Sequence, residues 1–66
     1  MSVVKVLELI GEGKTIEEAI SNTVKHASKT VKNIRQVNVD HIEAIVEKNK
    51  VTKYRLNVKL SFVVDN

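Results

Sequence analysis

The chain has 66 residues and a mass of 7.4 kDa, which allows one small domain, residues 1–66, able to hide only about 60% of the surface its unfolded chain exposes. It has no cysteine, so disulfides and thiolate zinc sites are excluded, and His26 and His41 alone are too few for a structural zinc site; self-association is the reinforcement that remains. With 42% hydrophobic and 29% charged residues and a net charge of +3, the balance is globular, no apolar run is long enough to cross a bilayer, and a soluble cytoplasmic protein is expected.

Val3 to Ile10 reads VVKVLELI, rich in β-branched residues and leucine and broken only by Lys5 and Glu8. It predicts a first strand, stopped by Gly11-Glu12-Gly13. Thr15-Ile16-Glu17-Glu18 follows. There the Thr15 hydroxyl can accept from an early backbone N–H while Glu18 reaches back to the Thr15 N–H, the reciprocal cap that starts a helix. Ile16, Ala19, Ile20, Val24, Ala27, Val31 and Ile34 then recur at steps of three and four, one stripe over about five turns. Acidic residues fill the expected first turn, and Lys29, Lys32 and Arg35 gather near the expected end, as the helix dipole favours.

From Gln36 the period changes to two, with Val37 and Val39 on one parity and Ile42, Ala44 and Val46 on the other. A parity shift inside a strand predicts a bulge or bend, here around Asp40 and His41. Glu47-Lys48-Asn49-Lys50 is a polar break, and Asn49 tolerates the positive φ of a tight hairpin. Beyond it Thr52, Tyr54, Leu56, Val58, Leu60, Phe62 and Val64 alternate with Lys53, Arg55, Asn57, Lys59 and Ser61, a half-buried antiparallel strand. A three-residue loop, Lys48 to Lys50, would set Val46 opposite Thr52, Ala44 opposite Tyr54 and Ile42 opposite Leu56, so that the apolar faces agree.

The fold class is therefore α+β, in the order β-α-β-β, with a three-stranded antiparallel sheet on one helix. One face of such a sheet is uncovered and carries Lys53, Arg55, Asn57 and Lys59. Val3, Leu7, Leu9, Val51 and Val63 find no place in a single core. Surplus apolar surface and open strand edges again point to assembly.

Few residues could carry chemistry. There is no cysteine nucleophile, and neither histidine lies in a nucleophile motif, so no enzyme is expected. Asp40, His41 and Glu43, at the predicted bulge, are hard or borderline ligands within four positions and form a candidate divalent-cation site, above all where copies meet on a symmetry axis. Gly11-Glu12-Gly13 lacks the further glycine of a dinucleotide loop and the Lys-Ser/Thr of a P-loop, and reads as a turn between strand and helix. Lys25, Lys29 and Lys32 form one exposed basic row and Lys53, Arg55 and Lys59 another, which could meet phosphates. Tyr54 and Phe62, the only aromatics, are on the core-facing parity and leave no platform for stacking bases, so nucleic acid is not the favoured partner.

In the order and spacing of Val4-Lys5-Val6-Leu7-Glu8-Leu9-Ile10-Gly11, Glu17-Glu18-Ala19-Ile20, Ala27-Ser28-Lys29-Thr30-Val31-Lys32-Asn33-Ile34-Arg35 and Tyr54-Arg55-Leu56-Asn57-Val58-Lys59-Leu60-Ser61-Phe62, nearly the whole chain resembles the dodecins, small proteins that assemble as hollow twelve-subunit shells. The resemblance implies a sheet curled around the helix, a homododecamer, and a non-enzymatic role in binding or storing small molecules. In the flavin-binding members a tryptophan just after the helix stacks on the isoalloxazine, and a glutamine after the tyrosine of the last strand hydrogen-bonds its polar edge. Gln36 and Arg55 stand at those places. Gln36 has no π face, which removes about 0.5–1.5 kcal/mol of stacking per aromatic pair, and Arg55 replaces a donor and acceptor by a donor-only cation. The chain is more similar to the branch without the tryptophan, for which cation binding has been proposed. A shell for small molecules or ions is the leading expectation. Riboflavin or FMN storage is the alternative, and a basic particle associated with nucleic acid the second alternative.

Overall fold

A computed structural model describes residues 3–64, as β1 (Val3–Gly13), α1 (Ile16–Ala27), β2 (Ile34–Glu47) and β3 (Lys50–Val64). The strands form one antiparallel sheet in the order β1-β3-β2, and the helix contacts all three, so the sheet wraps it. The α+β, β-α-β-β expectation holds. The strand with the cleanest alternation, β3, is the central one, and its even-numbered residues are the core: Leu56, Val58 and Leu60 are fully buried together with Ala19, Ala27 is buried beside them, and Leu9, Ile20, Val37 and Val39 pack around, partly covered. Tyr54 and Phe62 are half-buried on the same parity.

The first strand is longer than the glycines suggest. β1 runs through Gly11-Glu12-Gly13 and pairs with β3 to its end, Gly11 opposite Leu56 and Gly13 opposite Tyr54, so the segment is no turn and no phosphate loop. The glycines are needed because the helix lies on the strand. A methyl group on Gly11 would sit 1.7 Å from Thr23 Oγ1, and one on Gly13 would sit 2.5 Å from the Ala19 backbone nitrogen. Neither glycine has a positive φ; the requirement is space. Thr23, buried in this seam, satisfies its hydroxyl by donating to the Ala19 carbonyl at 2.7 Å.

The helix starts where its cap predicts and stops early. Thr15 is extended, and its Oγ1 accepts from Glu18 N–H at 3.0 Å. The Glu18 carboxylate reaches back one residue further than expected, accepting from Lys14 N–H at 3.3 Å. At the other end Ser28 caps the helix, its N–H donating to Val24 O and its hydroxyl to Lys25 O. Asn33, at φ 63°, then turns the chain, and its carbonyl accepts from Val63 N–H at 3.1 Å. Ile34, read above as the last residue of the helical stripe, instead begins β2 opposite Phe62. Pairing with the central strand outweighs a weak helical preference in a segment that contains β-branched Thr30 and Val31. Lys29, Lys32 and Arg35 therefore lie outside the helix, whose last turn carries Lys25 and His26.

The hairpin reaches the expected register by another route. Its loop is two residues, Lys48 and Asn49, both at positive φ (51° and 64°), and Glu47 pairs with Lys50. A shift between Ile45 and Val46 leaves Thr52 without a partner in the ladder, and Thr52 Oγ1 donates to Ile45 O at 3.3 Å. That extra residue restores Ala44 opposite Tyr54 and Ile42 opposite Leu56, as expected, but sets Val46 opposite Val51 rather than Thr52. Two-residue loops with both central residues left-handed match the twist of paired strands, and a bulge in the next turn of the ladder absorbs the odd residue. The bulge expected near Asp40 is also present, between Val39 and His41, and a third shift separates Ile34 from Gln36.

The chain is elongated, 51 × 20 × 13 Å, with a radius of gyration of 13.6 Å where a compact chain of this length has about 11 Å. Its accessible surface is 5144 Å², against about 4,200 Å² for a compact monomer of this mass. The surplus is apolar on both sheet faces. Val4, Val6 and Ile10 are exposed on the face away from the helix, and Ile42, Val46 and Val51 on the helix side beyond the reach of α1.

Candidate functional site

The sheet face away from α1 takes its residues from the odd positions of β3, and strand pairing arranges them in rows. Lys59 lies between Glu8 of β1 and Asn38 of β2, Asn57 between Ile10 and His41, and Arg55 between Glu12 and Glu43. Cross-strand neighbours on one face stand within about 4.5–5.5 Å at Cβ, so each cation of β3 has a carboxylate of its own chain in reach. Lys59 Nζ approaches Asp40 Oδ2 at 3.6 Å, and Asp40 Oδ1 accepts from Asn38 Nδ2 at 2.6 Å. Arg55 Nε donates to Glu12 Oε2 at 2.9 Å, and Lys53 Nζ to Glu12 Oε1 at 3.4 Å. The Arg55 hydrogen bond, followed by the Lys53 charge, holds the Glu12 carboxyl below its ordinary pKa.

These pairs change the meaning of the basic row. Lys53, Arg55 and Lys59 do line one face, as the alternation implied, but Glu12 and Asp40 partner them, which lowers the density of uncompensated charge that a phosphate backbone requires. The second row, Lys25, Lys29 and Lys32, does not form along a helix because only Lys25 is helical. A concavity of about 390 Å³ opens between the rows, lined by Glu8, Ile10, Asp40, His41, Asn57 and Lys59.

Asp40, His41 and Glu43 all lie on β2, an edge strand, and all are exposed. Asp40 occupies the bulge, bound to Lys59 and Asn38, while His41 and Glu43 face Asn57 and Arg55. Among the described residues no three His, Cys, Asp or Glu side chains converge as a metal-binding group; same-face neighbours along a strand are about 6.6 Å apart, which separates His41 from Glu43. Gln36 is exposed on the same face, opposite Ser61. Arg55 is six residues from Ser61 along β3, so the two positions read above as flavin contacts stand about 20 Å apart in one chain. A ligand touching both would need two copies.

Sequence reasoning alone does not pick out Glu12 as a site residue, because Gly11-Glu12-Gly13 reads as a turn. Its signal was present: the even positions Glu8, Ile10 and Glu12 continue the alternation of β1 through the glycines, and only the assumption that glycine ends a strand hid it.

With this geometry in hand, the family is plain. A model of the family described as Dodecin matches residues 3–65, and the chain belongs to that family. A dodecin variant from Thermus thermophilus superposes with a TM-score of 0.93 at 24% identity, covering 100% of both chains. Dodecin from Streptomyces davaonensis does so with a TM-score of 0.91 at 20% identity, covering 98% of this chain and 97% of the other, and dodecin from Streptomyces coelicolor with 0.91 at 23%, covering 98% and 94%. At such identities these likenesses speak for the fold. No curated protein sequence matches the chain significantly. Among the described residues no helix is long and apolar enough to cross a membrane.

Proposed function

We propose that this chain is a non-enzymatic small-molecule-binding protein of dodecin type, working as a homododecamer whose ligand sites lie between subunits. The observation that carries this reading is the shape of the subunit: an elongated sheet with both edges open and valines and isoleucines exposed on both faces, a surface that needs covering by its own kind. Family membership supports the same reading. Gln36 and Arg55, at the positions of the flavin-contacting tryptophan and glutamine, remove the stacking surface and replace a neutral amide with a cation already engaged by Glu12, so the ligand is a small molecule or ion other than a tightly held flavin. Asp40, His41 and Glu43 fit a divalent cation only if a second copy completes the ligand set, since one subunit does not gather them.

Native mass spectrometry of the purified protein tests both halves of the proposal. A bare or metal-bearing twelve-subunit species is expected. Monomers alone would sink the assembly, and a dodecamer carrying flavin mass would favour riboflavin or FMN storage instead. The site assignment has its own test. Gln36→Trp combined with Arg55→Gln should create flavin binding, read as quenching of riboflavin fluorescence; an assembled double variant without quenching would show that these positions do not form the ligand site.

A further inference from the structure

Two cations of β3, Lys53 and Arg55, stand two residues apart on the same sheet face, and both donate to one carboxylate, with one oxygen of Glu12 serving each. That is how a pair of cationic side chains holds an oxyanion: two donors from a rigid strand, converging on two oxygens of a planar or tetrahedral group. Glu12 is itself placed rigidly, because β1 and β3 are in register around it and its backbone carbonyl accepts from Asn22 Nδ2 of α1 at 3.1 Å. Its side chain, by contrast, is two-fifths exposed and free to leave. We propose that Lys53 and Arg55 form a binding pair for a compact dianion, a sulfate or phosphoryl group, which the Glu12 carboxylate keeps occupied until it is protonated or displaced.

The tether decides which anions compete. A side chain held beside its partner acts at an effective concentration in the mM range, so a free monoanion exchanges one carboxylate for another and gains nothing. A dianion roughly doubles the Coulomb attraction to the two cations and can displace Glu12. The charged and titratable groups around Glu12 agree with this selectivity. Lys53 and Arg55 face it from β3, Glu43 of β2 lies beyond Arg55, Lys14 follows it in the turn, and His26 of α1 shares with it a groove of about 160 Å³. Glu43 is the one carboxylate across the row from Arg55. It repels sulfate equally in wild type and in the opened variant, so the change on opening is set by Glu12. The inference uses contacts within one chain and shares Arg55 with the flavin positions, but it needs neither Gln36 nor a second copy, so its failure and that of the flavin-site reading are told apart by the sulfate and riboflavin titrations.

Sulfate is the probe, since its charge is constant through the relevant pH range. Calorimetric titration of the purified, assembled protein at fixed ionic strength near pH 7 should show Glu12→Gln binding sulfate about tenfold more tightly than wild type, with the gain abolished in Glu12→Gln/Arg55→Gln. Glu12→Ala is a second opening variant if Glu12→Gln does not fold, and is judged by the same comparison. Acidification should narrow the gap between wild type and variant, because a proton on Glu12 does what the substitution does. Equal sulfate affinity in wild type and opened protein, a gain that survives loss of Arg55, or a gap unchanged by acid would each overturn the proposal.

Discussion

The central strand is held on its two sides by ladders of different regularity. Against β1 it pairs without interruption from Val3 opposite Val64 to Gly13 opposite Tyr54, whereas against β2 the register shifts three times, near Arg35, Asp40 and Thr52. The unbroken side is where the helix packs closest, with Gly11 and Gly13 giving it room. The broken side carries the residues that differ most from a plain sheet. Gln36 follows the first shift, Asp40 sits in the second, and His41 follows it. A regular ladder transmits packing constraints along its whole length, while a bulge lets one residue turn without moving its neighbours. The side built for stability is therefore the one where small changes should hurt, and the bulged side the one where the chain can vary its chemistry.

That contrast can be broken from its strongest point downward. Leu56→Ala empties the middle of the core on the strand both ladders share, and is expected to cost about 3 kcal/mol in urea unfolding at fixed protein concentration; a loss below about 1 kcal/mol would place the core elsewhere. Gly13→Ala drives a methyl group into the Ala19 backbone, which can yield only by moving the helix, at about 2 kcal/mol. A neutral effect would mean that the seam between β1 and α1 is looser than described. On the other side, deleting Asp40 removes the bulge residue and keeps Val37 and Val39 facing the core, so the variant should fold with a loss of less than about 1 kcal/mol, the Lys59 pair being exposed. Unfolding of that variant would erase the distinction between the two ladders.

Two smaller effects sharpen it. The hairpin joins the bulged ladder through Lys48 and Asn49, both left-handed, and Lys48→Asn with Asn49→Gly should raise stability by about 0.5–1 kcal/mol in thermal melts, since those residues prefer this turn. A lower melting temperature would count against the two-residue loop. Glu12→Gln should have the smallest effect of the series, and its signature is the pH dependence. Because Arg55 and Lys53 lower the Glu12 pKa in the folded chain, its contribution is present in full above the ordinary carboxylate pKa and disappears as pH falls through the lower native value. Wild type and variant should then unfold at different midpoints near neutral pH and at the same midpoint in strong acid; a difference that ignores pH would remove the ion pair from the account.

Much of this was legible in the residues taken in order. The alternation from Thr52 to Val64 identified the core strand because a period of two has one physical meaning on a pleated chain. Thr15 and Glu18 marked the helix start because a cap is a local hydrogen-bond arrangement, and the parity change at Asp40 marked a bulge for the same local reason. The family resemblance also rested on order and spacing, which a sequence contains in full. What lay beyond it were choices between competing partners. Val31 and Ile34 continue a helical stripe, but Ile34 pairs with Phe62, far along the chain. Gly11 and Gly13 look like a stop until a helix lies on them. The loop of the hairpin could be two residues or three, with a bulge at Thr52 making the difference. Glu12 became part of the candidate site only when β1 was set beside β3. In short, periodicity, capping and composition determined the elements and their order, because each depends on residues within a few positions of one another. Where the helix yields to the sheet, which residues share a row, and which carboxylate meets Arg55 were decided by the tertiary structure, because those energies exist only between segments that folding brings together.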